Sequence, residues 1–211
     1  MTDQLAVQAD AGRLRRMLAA SAVEVAPLLL GAVIRHRTPE GEVAVMLTEV
    51  EAYLGDGTDP GSHAFRGKTP RNASMFGEPG HLYAYFSYGM HTCANVVCSP
   101  DGEASGVLMR GGRVVEGIEL ARARRTTSKS DRDLARGPAR LTVALGITLE
   151  DRGADLLADP FRLELPAVPL EHAAGPRTGI SGPGGSEAFP WRFWLPGERS
   201  VSPYKRHKLA G

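Results

Sequence analysis

The sequence predicts an α+β fold built on antiparallel hairpins. Two runs, Leu82 to Ser87 and Thr92 to Cys98, read as strands joined around Tyr88-Gly89-Met90. Helical spacing occurs in separate stretches and does not alternate regularly with strands, which argues against a βαβ series. A length of 211 residues with 42% hydrophobic content suits one globular domain, or at most two small ones, with a substantial core.

The elements follow in order. Residues 11–20 read as a helix with Leu14, Met17 and Leu18 on one side. Ser21 is a candidate cap for a second helix running to about Gly31, with Pro27 in its early part. Val43 to Tyr53 reads as a strand, with Val45, Leu47, Glu49, Glu51 and Tyr53 expected on one face. Gly55 to Gly67 is a polar, glycine-rich loop. After the hairpin, Gly106 to Arg110 reads as a short strand and Glu116 to Arg125 as a helix. Thr126 to Arg132 is polar and charged and is expected to be mobile. Pro138 suits a first helical turn, and that helix is expected to end near Gly146. The last third is rich in proline and glycine, with a short strand at Trp191 to Leu195.

Net charge is +1, so the chain as a whole does not announce a polyanion partner. Its distribution is uneven: residues 1–60 carry nine acids and five bases, whereas residues 110–140 carry nine bases and four acids. Such a local excess either faces phosphates or is a solvated surface. Cys93 and Cys98 have no zinc-ligand spacing, and reduced thiols are expected. No signal peptide is read near Arg13, Arg15 and Arg16, and the apolar run Leu28 to Ile34 is far shorter than a membrane span of roughly 20 residues. A soluble cytoplasmic protein is expected.

Glu49 and Glu51 share a strand face, so their carboxylates start about 6.6 Å apart at roughly 3.3 Å per residue. They mark a solvent-facing edge, a water-activating base, or the acid pair of a glycoside hydrolase. His63 reads as a surface loop residue or a site residue. Asn95 sits in an apolar run and needs a polar partner. Arg110, before two glycines, reads as a surface ion-pair former or a ligand clamp. Tyr88 stands at a turn, where an aromatic ring suits insertion between bases.

Several ordered blocks carry a family resemblance. They are Thr48-Glu49-Val50-Glu51-Ala52-Tyr53-Leu54-Gly55, then His63 to Asn72, then Met75-Phe76 and the tyrosine run to Asn95. Further blocks are Gly106 to Arg110, Gly137-Pro138-Ala139-Arg140-Leu141, Gly175 to Ile180 and Ser202-Pro203-Tyr204. Together they resemble the alkyladenine DNA glycosylase family, also called methylpurine DNA glycosylase, in its compact bacterial form. The resemblance implies a single compact domain over 1–211 with a curved antiparallel β-sheet, flanking helices and a protruding hairpin. It implies that Glu51 is the general base activating water against C1′ of a flipped nucleotide. Tyr53 and His63 would wall the base pocket, Tyr85 would close it, and Asn95 would lie at its floor. Tyr88 would be the wedge in the duplex, with Met90 beside it, and Arg110 and Arg140 would hold phosphates. Tyr83 is expected to serve packing alone. No metal or redox cofactor is implied. The lack of a lysine at the matched catalytic position implies a monofunctional hydrolase. The expected partner is double-stranded DNA with damaged purines, met by a monomer. The competing readings are a non-catalytic damaged-DNA binding module and a small-molecule nucleoside hydrolase.

Overall fold

The computed structural model describes residues 11–55, 57–87 and 89–210. Residues 11–18 form helix α1, and α2 covers Ala22–Val25. The Glu24 carboxylate accepts from the Ser21 amide at 3.2 Å, one half of a capping box. The expected second helix does not reach Gly31 as α-helix. It tightens to a 3-10 turn over Ala26–Leu29, where Pro27 has no amide to continue the α ladder.

The sheet comprises β1 (Val33–Thr38), β2 (Gly41–Leu54), β3 (Leu82–Ser87), β4 (His91–Val97), β5 (Ser105–Glu116), β6 (Ala135–Arg136), β7 (Phe161–Glu164), β8 (Ala173–Gly175) and β9 (Arg192–Trp194). Its main path is β3-β4-β5-β2-β1-β7; β6 joins β5, and β9 joins both β2 and β8. These strand pairings are antiparallel. Helix α3 covers Ile118–Arg124 and α4 covers Pro138–Leu145. The α+β expectation is therefore met, within one compact domain.

Helix α4 forms where the sequence places it. Pro138 opens it, and Gly146 ends it in the left-handed region at φ 74°. Its Leu141, Ala144 and Leu145 are buried, and Thr142 Oγ1 donates to Thr92 O at 2.8 Å. That bond braces the stem of the β3–β4 hairpin against the core.

The strand expectation for Val43 to Tyr53 holds, but the single-face reading does not. Val43, Val45 and Leu47 enter the main core, and so do Val50 and Ala52. The step from Leu47 to Val50 is three residues, because the β2–β5 register shifts on both sides of Glu49. Thr48 is the extra residue on β2 and Arg110 the extra residue on β5. A bulge re-aims side chains. Here it turns Glu49, Glu51 and Tyr53 to the face opposite Val45 and Leu47. The sheet thus has a helix-packed core face and a second face. On that second face a smaller cluster forms from Ala64, Met75, Phe76, Tyr83, Val97 and Ala104, with Tyr85 against it.

Two other expectations need correction. Strand β5 runs to Glu116, well past Arg110, because Gly111 and Gly112 pair with β6 and let β2 approach closely. A Cβ at Gly112 would stand 2.4 Å from Val45 Cγ1. Strands β7 and β8 had no periodic signal long enough to read. Segment 126–132 is tied down: Arg122 grips Asp131 with two 2.8 Å hydrogen bonds, next to a 3-10 turn at Asp131–Asp133. Cys93 and Cys98 are free and buried, and burial pushes both thiol pKa values up.

Candidate active site

Glu49 and Glu51 lie where β2 is paired on both sides, by β5 and by β9. That excludes the solvent-facing edge. Both carboxylates are fully buried, which is costly unless charge and hydrogen bonds compensate. Glu49 is compensated completely. Arg110 Nε donates to it at 2.9 Å and Arg192 Nε at 2.6 Å. The Ser202 amide donates at 2.7 Å and Ser202 Oγ at 3.0 Å. Glu49 is thus an anchor for the C-terminal segment, and the two-carboxylate hydrolase reading loses its second acid.

Glu51 is held differently. Tyr53 O–H donates to Oε2 at 2.8 Å, and the Thr178 amide donates to Oε1 at 2.7 Å. Arg110 Nε stands 3.4 Å from Oε1. This carboxylate is oriented by neutral donors with one cation alongside, and its remaining lone pairs are uncommitted. An oriented carboxylate of this kind can accept a proton from a nearby water.

Arg110 is only 9% exposed, which corrects the surface ion-pair reading. Burial opposes its charge, but the carboxylates of Glu51 and Glu49 outweigh that and raise its pKa. The phosphate contact expected of it is not what its Nε serves here. The β5 bulge aims that group inward.

Three tyrosines and a histidine form the adjoining wall. His63 meets Tyr85 edge-on at 4.6 Å between ring centroids, and Tyr83 stacks on Tyr85 at 5.3 Å. Tyr83 also pairs its hydroxyl with His63 Nδ1 at 3.1 Å. Tyr83 therefore does more than pack: it fixes the His63 ring. Partial desolvation against the tyrosine rings, then the nearby Arg71 cation, lowers the pKa of His63, whose outer part stays exposed, and this favours the neutral imidazole. Burial raises the Tyr53 and Tyr85 pKa values, and both stay protonated. Asn95 is buried beneath this wall and donates to Tyr83 O at 3.3 Å, which supplies the partner its apolar run required.

Sequence reasoning missed Arg177 and Asp59. Both side chains are fully buried and meet in two 2.6 Å hydrogen bonds. Arg177 also donates to Ala52 O at 3.0 Å and Gly184 O at 2.8 Å. Its guanidinium lies 4.5 Å from the Tyr53 ring centroid and 5.2 Å from that of Trp191. It joins the 55–67 loop, β2 and the C-terminal loops beneath Tyr53, and the next residue supplies the amide on Glu51. The sequence placed Arg177 inside a block of the family resemblance without giving it a role, and showed Asp59 only as an aspartate in a glycine-rich loop.

At the hairpin, Met90 is 67% exposed and Phe86 46% exposed, unusual for apolar side chains without a partner surface. Gly89 takes φ 66°, and Arg71 Nη2 donates to Phe86 O at 3.1 Å. The Tyr88 expectation lies outside the described residues. Arg140 is exposed and lines a groove of about 510 Å³ with His91, Arg125, Lys129 and Asp133. Among the described residues no cluster of His, Cys, Asp or Glu fit to hold a metal occurs, and no helix is long and apolar enough to cross a membrane.

Comparison with known proteins gives this geometry its context. Residues 16–199 match the model of the family described as methylpurine-DNA glycosylase. The chain belongs to the methylpurine-DNA glycosylase family. Relatives within it carry the name "Putative 3-methyladenine DNA glycosylase". One from Leifsonia xyli is 69% identical over 192 residues, covering 89% of this chain and 90% of the relative. One from Streptomyces avermitilis is 50% identical over 198 residues, covering 92% of each. One from Nocardia farcinica is 54% identical over 192 residues, covering 86% of each. The family assignment meets the resemblance drawn from the sequence, and with it the expectation of a hydrolase acting on N-glycosyl bonds.

Proposed function

We propose that this glycosylase-family protein is a monofunctional DNA N-glycosylase of base excision repair. It removes alkylated or deaminated purines from duplex DNA by hydrolysis and leaves an abasic site. The observation that carries the reading is the buried Glu51 carboxylate, fixed by Tyr53 and Thr178 at the foot of an aromatic wall.

Glu51 takes a proton from water as the water oxygen bonds to C1′ and the C1′–N bond breaks. The electron pair of that bond leaves with the purine. The transition state is oxocarbenium-like, and the carboxylate charge stabilises it. Tyr53, His63 and Tyr85 hold the extruded base. A neutral His63 adds no repulsion against a cationic N-alkylpurine, and the tyrosine faces attract such a ring by about 1–2 kcal/mol when desolvated. Arg110 serves Glu51 first, and Asn95 shapes the pocket floor against ordinary guanine. Tyr88, with Met90, fills the gap in the stack, while Arg140 and its groove face phosphates.

The substrates that fit this chemistry are 3-methyladenine, 7-methylguanine, hypoxanthine and ethenoadenine. The test is base release from duplexes carrying each lesion, with Glu51→Gln as control. Wild-type protein should release at least one of them. Release no greater than that of the variant on every lesion refutes the proposal.

A further inference from the structure

The segment from Ser202 to Leu209 is nailed to the catalytic face at three points. Ser202 bonds Glu49 through its amide and hydroxyl at 2.7 and 3.0 Å. Lys205 O accepts from the Gly179 amide at 2.9 Å, and Leu209 O accepts from the Gly182 amide at 2.7 Å. Gly179 directly follows Thr178, whose amide holds Glu51. One residue step of about 3.8 Å separates those two hydrogen bonds, so the Lys205 backbone passes within about 10 Å of the Glu51 carboxylate.

Between these anchors the sequence reads Pro203-Tyr204-Lys205-Arg206-His207-Lys208. Residues 199–211 carry four Lys or Arg and no acid, in a chain whose net charge is +1. Lys205, Arg206 and Lys208 are exposed. Among the described residues neither Lys205 nor Lys208 has an ion-pair partner, whereas Arg35, Arg110, Arg122, Arg177 and Arg192 are all matched to acids. His207 is committed differently: its Nδ1 accepts from the Leu209 amide at 3.1 Å. A pinned backbone that presents unpaired ammonium groups loses little chain entropy when those groups meet anions.

We propose that residues 202–209 form a strap that binds the sugar-phosphate backbone of duplex DNA beside the extruded nucleotide, with Lys205 and Lys208 as phosphate contacts. The inference rests on the DNA-glycosylase reading, since a reacting C1′ at Glu51 brings its flanking phosphates to this edge of the site. The contacts carry no sequence information and serve to hold the strand in position.

The probe is a duplex containing a tetrahydrofuran abasic-site analogue, bound at several salt concentrations by wild-type protein and by the double variant Lys205→Ala, Lys208→Ala. Each lost phosphate contact reduces the slope of log K against log salt by about 0.9. The double variant should therefore lose about tenfold less affinity than wild type between 50 and 200 mM salt. The variant Lys205→Arg, Lys208→Arg, which keeps both charges, should restore the slope. An unchanged slope overturns the strap, as does a slope that the arginine variant fails to restore. Neither result touches the glycosylase reading, which stands or falls on base release by the wild-type protein.

Discussion

Glu49 accepts from Arg110, Arg192 and Ser202, while Glu51 accepts from Tyr53 and Thr178. Two acids one strand period apart are thereby given different work. Glu49→Gln should act on folding, because it leaves buried guanidinium groups without their counter-charge. Breaking a buried pair costs about 3–5 kcal/mol, a fall in melting temperature on the order of 10 °C for a chain of this size. Thermal unfolding checks it, and a shift of a degree or two would refute the anchor role. Glu51→Gln should keep the fold, since an amide oxygen still accepts from Thr178, and should lower single-turnover excision about 10²–10⁴-fold. The sequence showed that these carboxylates share a face. It did not show their partners: Arg192 lies 143 residues from Glu49, and Arg177 lies 118 residues from Asp59. Pairings so distant leave no period in a local window.

The β3–β4 hairpin was legible because alternation and a glycine turn are local signals. Helix α4 was legible for the same reason, through Pro138 and Gly146. The bulge in β2 was not, since nothing around Thr48 marks an extra residue until Arg110 is seen bulging opposite. The strand was found and its parity was wrong for half its length. On the proposed function, the hairpin's tip and stem are expected to have different tasks. Tyr88→Ala should weaken excision of every lesion on the order of tenfold, about 1.4 kcal/mol of lost stack filling. Tyr85, stacked on Tyr83 and edge-on to His63, should instead change which base is accepted. Rates on a cationic and a neutral lesion for both variants separate the two, and equal losses on all lesions at both positions would contradict this division.

Across the whole molecule, two histidines couple stability to pH: the buried His36, and His63, whose ring packs against tyrosines while part of it stays in solvent. His36 stacks on Phe161 at 4.0 Å and pairs with Leu145 O at 3.0 Å, and burial lowers its pKa below 6.5. His63 is lowered likewise. Below pH 6.5 the unfolded chain binds protons at both sites and the folded chain resists them. Stability is therefore full above pH 6.5 and declines as pH falls through the folded pKa values. Denaturant unfolding between pH 7.5 and 5 should show that decline, and His36→Gln should flatten part of it; a stability that rises on acidification would contradict the assignment. The α+β class and the family were readable from the chain, because ordered blocks recur at fixed spacing. The second face of the sheet was not, because it is assembled from β2, β3, β4, the 55–67 loop and the C-terminal segment only on folding. The proposed chemistry depends on Glu51 as the base. It is tested most directly by single-turnover release of hypoxanthine and 3-methyladenine from duplex DNA by wild type and by a folded Glu51→Gln protein. Release by wild type with a loss of about 10²-fold or more in the variant is expected, and equal rates in the two proteins would contradict the account.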